Sequence, residues 1–171
     1  MKRKRLRKID KIILGKRILI VDDEKDVLDT LVELLANCKL DTASNYEQAM
    51  QMIDNISYDL AILDIMGVNG YKLLEKTNEH NLPAIMLTAH ALSEKDLLKS
   101  VNKGAVYYAP KEELSNIKAI VAEVIDAIEN NKSPWEKMIT RLADFYDRQF
   151  NGPDWREKVK SALDERLKSV Y

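Results

Sequence analysis

The stretch 17–23, RILIVDD, decides how this chain folds: an aliphatic run breaks off on two aspartates, Asp22 and Asp23. Three further runs have the same form. Leu60-Ala61-Ile62-Leu63 ends on Asp64, Ala84-Ile85-Met86-Leu87 ends on Thr88, and Ala105-Val106-Tyr107-Tyr108-Ala109 ends, through Pro110, on Lys111. Short apolar runs without polar alternation, separated by helix-like segments, read as strands of a parallel sheet buried on both faces. Ligands of such sheets bind outside the carboxyl ends of the strands. Three carboxylates, a hydroxyl and an ammonium are therefore expected to converge at one edge of the molecule. Carboxylates suit a hard divalent cation, and a hydroxyl and an ammonium suit phosphoryl oxygens.

The segments between the runs complete five β/α units. Val27, Leu28, Leu31, Leu34 and Leu35 share one face of a helix over about 25–37, and a short strand follows near 39–43. Ser44-Asn45-Tyr46-Glu47 is a capping pattern that starts a helix at Asn45. Gly67 and Gly70 mark a loop before a helix ending near Glu79, Pro83 opens the next strand, and Ser93 caps a helix that Gly104 stops. Leu114, Ile117, Ile120, Val121, Val124 and Ile128 give a long helix over about 113–130. The expected fold class is α/β: a doubly wound, flavodoxin-like, five-stranded parallel sheet in the order 2-1-3-4-5.

Both ends lie outside that pattern. Residues 1–17 hold nine lysines and arginines against Asp10 alone, so the remainder must be acidic for the chain to reach its net charge of −1. We expect 1–16 to be a basic arm with a helical turn around Ile9 to Leu14, 17–131 to be the α/β domain, and 132–171 to be a helical hairpin. In Ser133-Pro134-Trp135-Glu136 the serine stands at N-cap, the proline at N1 and the glutamate at N3 of its first helix. Trp135, Ile139, Leu142, Phe145, Tyr146 and Phe150 form one apolar stripe; Trp155, Val159, Ala162, Leu163, Leu167 and Val170 form the second, after Gly152-Pro153. A hairpin alone cannot bury both stripes. They are expected to pack on the α/β domain or on a second copy, which makes a homodimer the favoured assembly.

Composition excludes several classes. Cys38 is the only cysteine, so there is neither an intrachain disulfide nor a cysteine-rich zinc site. No apolar stretch approaches the roughly 18–20 residues of a membrane-spanning helix, and Ile12-Ile13-Leu14 is too short for a signal-peptide core. A cytoplasmic protein is expected. An acidic body, and a hairpin with eight basic against seven acidic residues over 133–171, argue against general nucleic-acid binding.

The chemistry expected at the strand ends is phosphoryl transfer. Asp22 and Asp23 can stay ionised beside Asp64 if a cation lies between them. Asp64 can then act as a nucleophile, with Lys111 neutralising the transferred group and Thr88 donating to one of its oxygens. Each residue alone has a plainer reading as a turn former, a cap or a solvated charge. Only their joint placement on four strands points to a site.

On these residues the chain resembles the receiver domain of bacterial two-component response regulators, of the chemotaxis-Y type. RILIVDDE, DLAILDIMGVNGYKLLE, AIMLTAHA and GAVYYAPK match that family's blocks in order. The resemblance implies that Asp64 is the phosphoacceptor and that Asp22, Asp23, Asp64 and the main-chain carbonyl of Met66 hold Mg²⁺. It implies Thr88 and Tyr108 as the switch pair and Lys111 as the phosphate-binding lysine. Met66 and His90 match two variable positions that influence dephosphorylation.

By the same resemblance the phosphoryl donor is a sensor histidine kinase or a phosphotransfer protein, the output is a downstream protein target, and the chain is not an enzyme beyond its own phosphorylation and dephosphorylation. The alternative is a DNA-binding transcriptional regulator using the arm and the C-terminal helices. A phosphatase on a similar fold would need an aspartate where Met66 stands. Two departures from the family pattern are visible. The loop Asp64-Ile65-Met66-Gly67-Val68-Asn69-Gly70 is about two residues short and lacks proline, and Glu112 rather than proline follows Lys111. A cis Lys111–Glu112 bond would cost about 3–4 kcal/mol, so trans is expected.

Overall fold

The computed structural model describes residues 2–89 and 93–169. Helix α1 (Lys2–Ile13) precedes β1 (Arg17–Val21), α2 (Lys25–Leu34), β2 (Lys39–Ala43), α3 (Tyr46–Asn55), β3 (Leu60–Asp64), α4 (Gly70–Glu79), β4 (Ala84–Thr88), α5 (Glu94–Asn102) and β5 (Tyr107–Pro110). A 3-10 segment, Lys111–Asn116, leads into α6 (Ile117–Glu129), followed by α7 (Pro134–Gln149) and α8 (Trp155–Lys168). The sheet is parallel throughout, in the order β2-β1-β3-β4-β5. Strands β3 and β4 are buried along their whole length, as the unbroken apolar runs require, whereas the edge strand β2 is partly exposed.

Register is what levels the strand ends. Val21 pairs with Leu63, Asp64 with Leu87, and Thr88 with Pro110. The residue after each pairing point therefore falls at the same carboxyl edge. Local caps fix the helices behind it. The Asn45 side chain caps α3 by accepting from the Gln48 amide at 2.9 Å, and Gln48 Oε1 accepts from the amide of the preceding Ser44 at 3.1 Å. Ser93 Oγ accepts from the Asp96 amide at 3.0 Å. Ser133 occupies the N-cap of α7 with Pro134 behind it, but its hydroxyl makes no capping bond. The helix expected from 113 begins only at Ile117, because its first turn is wound as a 3-10 segment.

The N-terminal arm is corrected by the structure. Its single expected turn extends to a twelve-residue helix whose apolar side lies on α6. Ile13 is fully buried, and Ile9 and Ile12 pack against the core. Asp10, the one acid in the run, is paired with Lys118 at 2.6 Å and accepts from Asn37 Nδ2 at 2.8 Å. Cys38 donates its thiol to the Ile13 carbonyl at 3.4 Å, and burial pushes that thiol up to about 11, which leaves it an inert packing group.

The C-terminal stripes are covered by the chain itself, apart from Leu167, which is 62% exposed. Helix α7 packs on α6 and β5, and α8 packs on α5. Trp135, Tyr146 and Trp155 are buried, with Tyr146 stacked on Phe150 and edge-on to Phe145 and Trp155 at centroid distances of 5.1–5.4 Å. Trp135 Nε1 donates to the Ala105 carbonyl at 3.1 Å, and Arg166 donates to the carbonyls of Val101 and Ala105. The need that motivated a hairpin-joined dimer is thus met within one chain. Val170, the end of the second stripe, lies outside the described residues.

Because Ile13 closes the joint between α1 and the core, Ile13→Ala should lower unfolding stability by about 2–4 kcal/mol. Urea denaturation measures it; a loss under about 0.5 kcal/mol would mean that the N-terminal helix does not contribute to the fold.

Candidate functional site

Four strand ends deliver the site. Asp22 follows β1, Asp64 closes β3, Thr88 closes β4 and Lys111 follows β5. Main-chain bonds from the Asp22 amide to the Ala43 carbonyl and from the Ile65 amide to the Leu87 carbonyl hold these ends in place irrespective of side-chain charge. Asp22 and Asp64 are 1% and 4% exposed, while Asp23 faces solvent. One oxygen from each of the three carboxylates lies within 4.8 Å of the other two.

Lys111 sits among them, its side chain 9% exposed. Its Nζ stands 2.8 Å from Asp22 Oδ2, 2.8 Å from Glu24 Oε1 and 3.2 Å from Asp64 Oδ1. The contact to Asp22 Oδ2 is a buried ion pair. Asp22 Oδ1 accepts from the Glu24 amide at 2.9 Å. Sequence reading assigned Glu24 no part. It lies 87 residues from Lys111 along the chain, and no local pattern announces that pairing.

The electrostatics follow from crowding. Burial, then the neighbouring Asp22 carboxylate, push Asp64 up to about 6, with Lys111 opposing. Burial likewise raises Asp22 against the pull of Lys111. Burial alone would lower Lys111, but its carboxylate partners more than reverse this and hold it firmly protonated. An added cation would relieve the carboxylates. Three oxygens, two buried and one at the solvent edge, fit a hard ion that keeps part of its water shell, so the residues present suit a divalent metal.

The short loop after Asp64 closes over this cluster. Gly67 adopts φ +78°, and a Cβ there would come within 2.4 Å of the Asp23 carboxylate. A Cβ on Gly70 would meet the Asp64 carbonyl at 2.1 Å, so only glycine lets α4 begin against the end of β3. Asn69, in the left-handed region at φ 54°, turns the chain between them. Met66 points outward, 61% exposed. The Lys111–Glu112 bond is trans. Thr88 is buried beneath the site and shares a side-chain hydrogen bond with Tyr108, which is itself fully buried. His90 lies outside the described residues.

The model of one family, the response regulator receiver domain, matches residues 18–124. Among curated proteins, the two-component response regulator ARR12 of Arabidopsis thaliana is 36% identical over 123 residues, 66% of this chain and 20% of that protein. The transcriptional regulatory protein CpxR of Escherichia coli (strain K12) is 37% identical over 117 residues, 61% of this chain and 49% of that protein. The chain thus spans between about a fifth and a half of these relatives. A CheY-like response regulator receiver domain protein from Methanospirillum hungatei JF-1 superposes with a TM-score of 0.63 at 29% identity, over 68% of this chain and 98% of that one. The family match stops short of α7 and leaves α1 outside.

The raised Asp64 carboxyl has a consequence for stability. Its folded value, about 6, exceeds its ordinary value of 3.8, so the fold disfavours the ionised form. The group's contribution is fully present below about pH 4 and is lost as pH rises through about 6. In metal-free protein Asp64→Asn should therefore stabilise by roughly 1–3 kcal/mol at neutral pH, with the gain fading toward about pH 4. Urea melts across that range test this; a gain independent of pH would contradict the charge account.

Proposed function

This chain belongs to the response regulator receiver family, and from that premise we propose that it is the phospho-acceptor switch of a two-component system. The observation that carries the reading is Asp64, buried at the end of β3 with Asp22 and Asp23 beside it and Lys111 3.2 Å away. A sensor histidine kinase or a phosphotransfer protein is the donor. One Asp64 oxygen attacks phosphorus, the P–O bond forms as the donor's P–N bond breaks, and the electron pair returns to the imidazole, which takes up a proton.

Asp22, Asp23 and Asp64, with the main-chain carbonyl of Met66, would hold Mg²⁺, which when bound offsets the charge of the carboxylates and of the incoming phosphoryl oxygens. Lys111, already held at the site by Asp22 and Glu24, turns one of its three donors to a phosphoryl oxygen. Thr88 donates its hydroxyl to another and passes the change to Tyr108, to which it is hydrogen-bonded. The readout is a protein–protein surface rather than a catalysed reaction, and the downstream target is a protein. Among the described residues no helix is long and apolar enough to cross a membrane.

Acetyl phosphate and Mg²⁺ should add one phosphoryl group to the wild type, seen in the intact mass, and none to Asp64→Asn. Gly67→Ala, which displaces the Asp23 carboxylate, should need several-fold more Mg²⁺ for the same labelling. Equal labelling of Asp64→Asn would refute the assignment.

One observation favours a second reading, a nucleic-acid-binding regulator. Arg3, Lys4, Arg5, Arg7, Lys8 and Lys11 on α1 are exposed, and none forms an ion pair among the described residues. The outer side of α8 offers no such face, since Glu157, Lys160, Asp164, Glu165 and Lys168 mix both signs. On this reading the full chain binds duplex DNA with an affinity that falls steeply with salt and is lost when the α1 cations are replaced by glutamine. Gel-shift titration at two salt concentrations decides it.

A further inference from the structure

The two C-terminal helices do not cover an arbitrary part of the domain. They cover the face made by α5, β5 and α6, and one of their polar contacts falls on Tyr108, the neighbour of Thr88. The Tyr146 hydroxyl donates to the Tyr108 carbonyl at 3.1 Å, and the two rings lie 6.1 Å apart. Tyr108 is in turn hydrogen-bonded through its phenol to Thr88. Helix α5, which follows Thr88 in the chain, is gripped at both ends. Lys158 of α8 pairs with Glu94 at its start, and Arg166 donates to the Val101 carbonyl near its finish at 3.0 Å. A second pair, Arg141 with Glu123, ties α7 to α6. The hairpin thus rests on each element through which a change at Thr88 would pass.

We propose that segment 134–168 is the intramolecular partner of the α5–β5–α6 face and that phosphorylation of Asp64 tightens its docking. This rests on the reading of Asp64 as phosphoacceptor. The sign follows from hydrogen-bond accounting at Thr88, which has one proton to give and two lone pairs to accept with. When its proton goes to a phosphoryl oxygen, its oxygen can still accept from the Tyr108 phenol. The result is a chain of bonds running one way, Tyr108 to Thr88 to phosphoryl, in which each bond strengthens the next. That chain holds the Tyr108 ring in the buried place where Tyr146 packs on it. Phosphoryl group and hairpin therefore favour the same arrangement of Tyr108, and two ligands of one arrangement support each other reciprocally.

The hairpin is consequently a working part of the switch. A partner that approaches this face meets α7 and α8, and reads the phosphorylation state through how firmly they are held.

Amide hydrogen exchange on the full chain tests the coupling, with Mg²⁺ and beryllium fluoride as the phosphoryl probe. Exchange in 134–168 should slow about fivefold or more on adding the probe, the low end of ordinary coupling between sites. The slowing must exceed that in α3, which lies beside β2 at the opposite edge of the sheet from β5 and reports global stabilisation. Asp64→Asn should show no slowing. Tyr146→Phe keeps the ring and removes only the bond to the Tyr108 carbonyl; it should still take one phosphoryl group from acetyl phosphate, while the excess slowing shrinks. If the probe binds through Asp64 and exchange in 134–168 is unchanged, slowed no more than α3, or faster, the coupling is overturned and the phosphoacceptor reading stands. If neither the probe nor acetyl phosphate engages Asp64, both fall.

Discussion

A parallel sheet holds three carboxylates together by hydrogen bonds that are indifferent to their charge. The main-chain ladder fixes the ends of β1 and β3, and with them Asp22 and Asp64, whatever the side chains would prefer. Left to themselves two buried carboxylates would separate or protonate. Held in place, both are raised by burial, Asp64 also by the Asp22 carboxylate, and they draw in a counter-ion, which Lys111 supplies from the end of β5. The strained electrostatics of the site are therefore a property of the fold, and the fold tolerates them because the core beneath is apolar along all of β3 and β4. A divalent cation or a phosphoryl group bound there would meet groups whose positions are already determined, and little ordering would remain to oppose its binding.

The same constraint explains the short loop. Between Asp64 and the start of α4 at Gly70 the chain has only Ile65–Asn69 in which to reverse, with no proline among them. It does so by pressing backbone directly on the carboxylate cluster, with Gly67 against Asp23 and Gly70 against the Asp64 carbonyl. Two glycines and a left-handed Asn69 do in close quarters what a longer loop would do with slack. The roof of the site is correspondingly intolerant of a single added methyl group.

Sheet order, strand ends and the convergence of Asp22, Asp23, Asp64, Thr88 and Lys111 were all legible in the sequence, because each apolar run stops at a chemically distinctive residue and parallel topology puts such stops at one edge. Three features were not. Helix α1 carries Ile9, Ile12 and Ile13 at helical spacing, yet the density of lysine and arginine around them looks like a solvated arm; the α6 surface that gives the isoleucines somewhere to go is more than a hundred residues away. The Lys111–Glu24 pair has no local signal for the same reason. The hairpin stripes announced a need for burial without naming the surface that meets it, since apolar complementarity is not directional.

Helix α6 shows why both ends of the chain belong to one system. In a doubly wound fold its outer side would face water, and seven of its thirteen residues would be too many to bury. Here α1 lies along one flank and α7 along the other, so Ala122, Val124, Ile125 and Ala127 join the core. The receiver domain has thus been given an outer layer, with α1 and α7 on α6 and α8 on α5. That layer is built from the two segments the family match leaves out, and its Tyr146 hydroxyl donates to the Tyr108 carbonyl. Apolar burial holds the layer to the domain without regard to signalling; the single bond from Tyr146 and the ring beneath it are where its position can depend on the chemistry at Asp64. Adhesion and responsiveness are in this way assigned to different contacts, which lets the hairpin stay attached while still reporting a change.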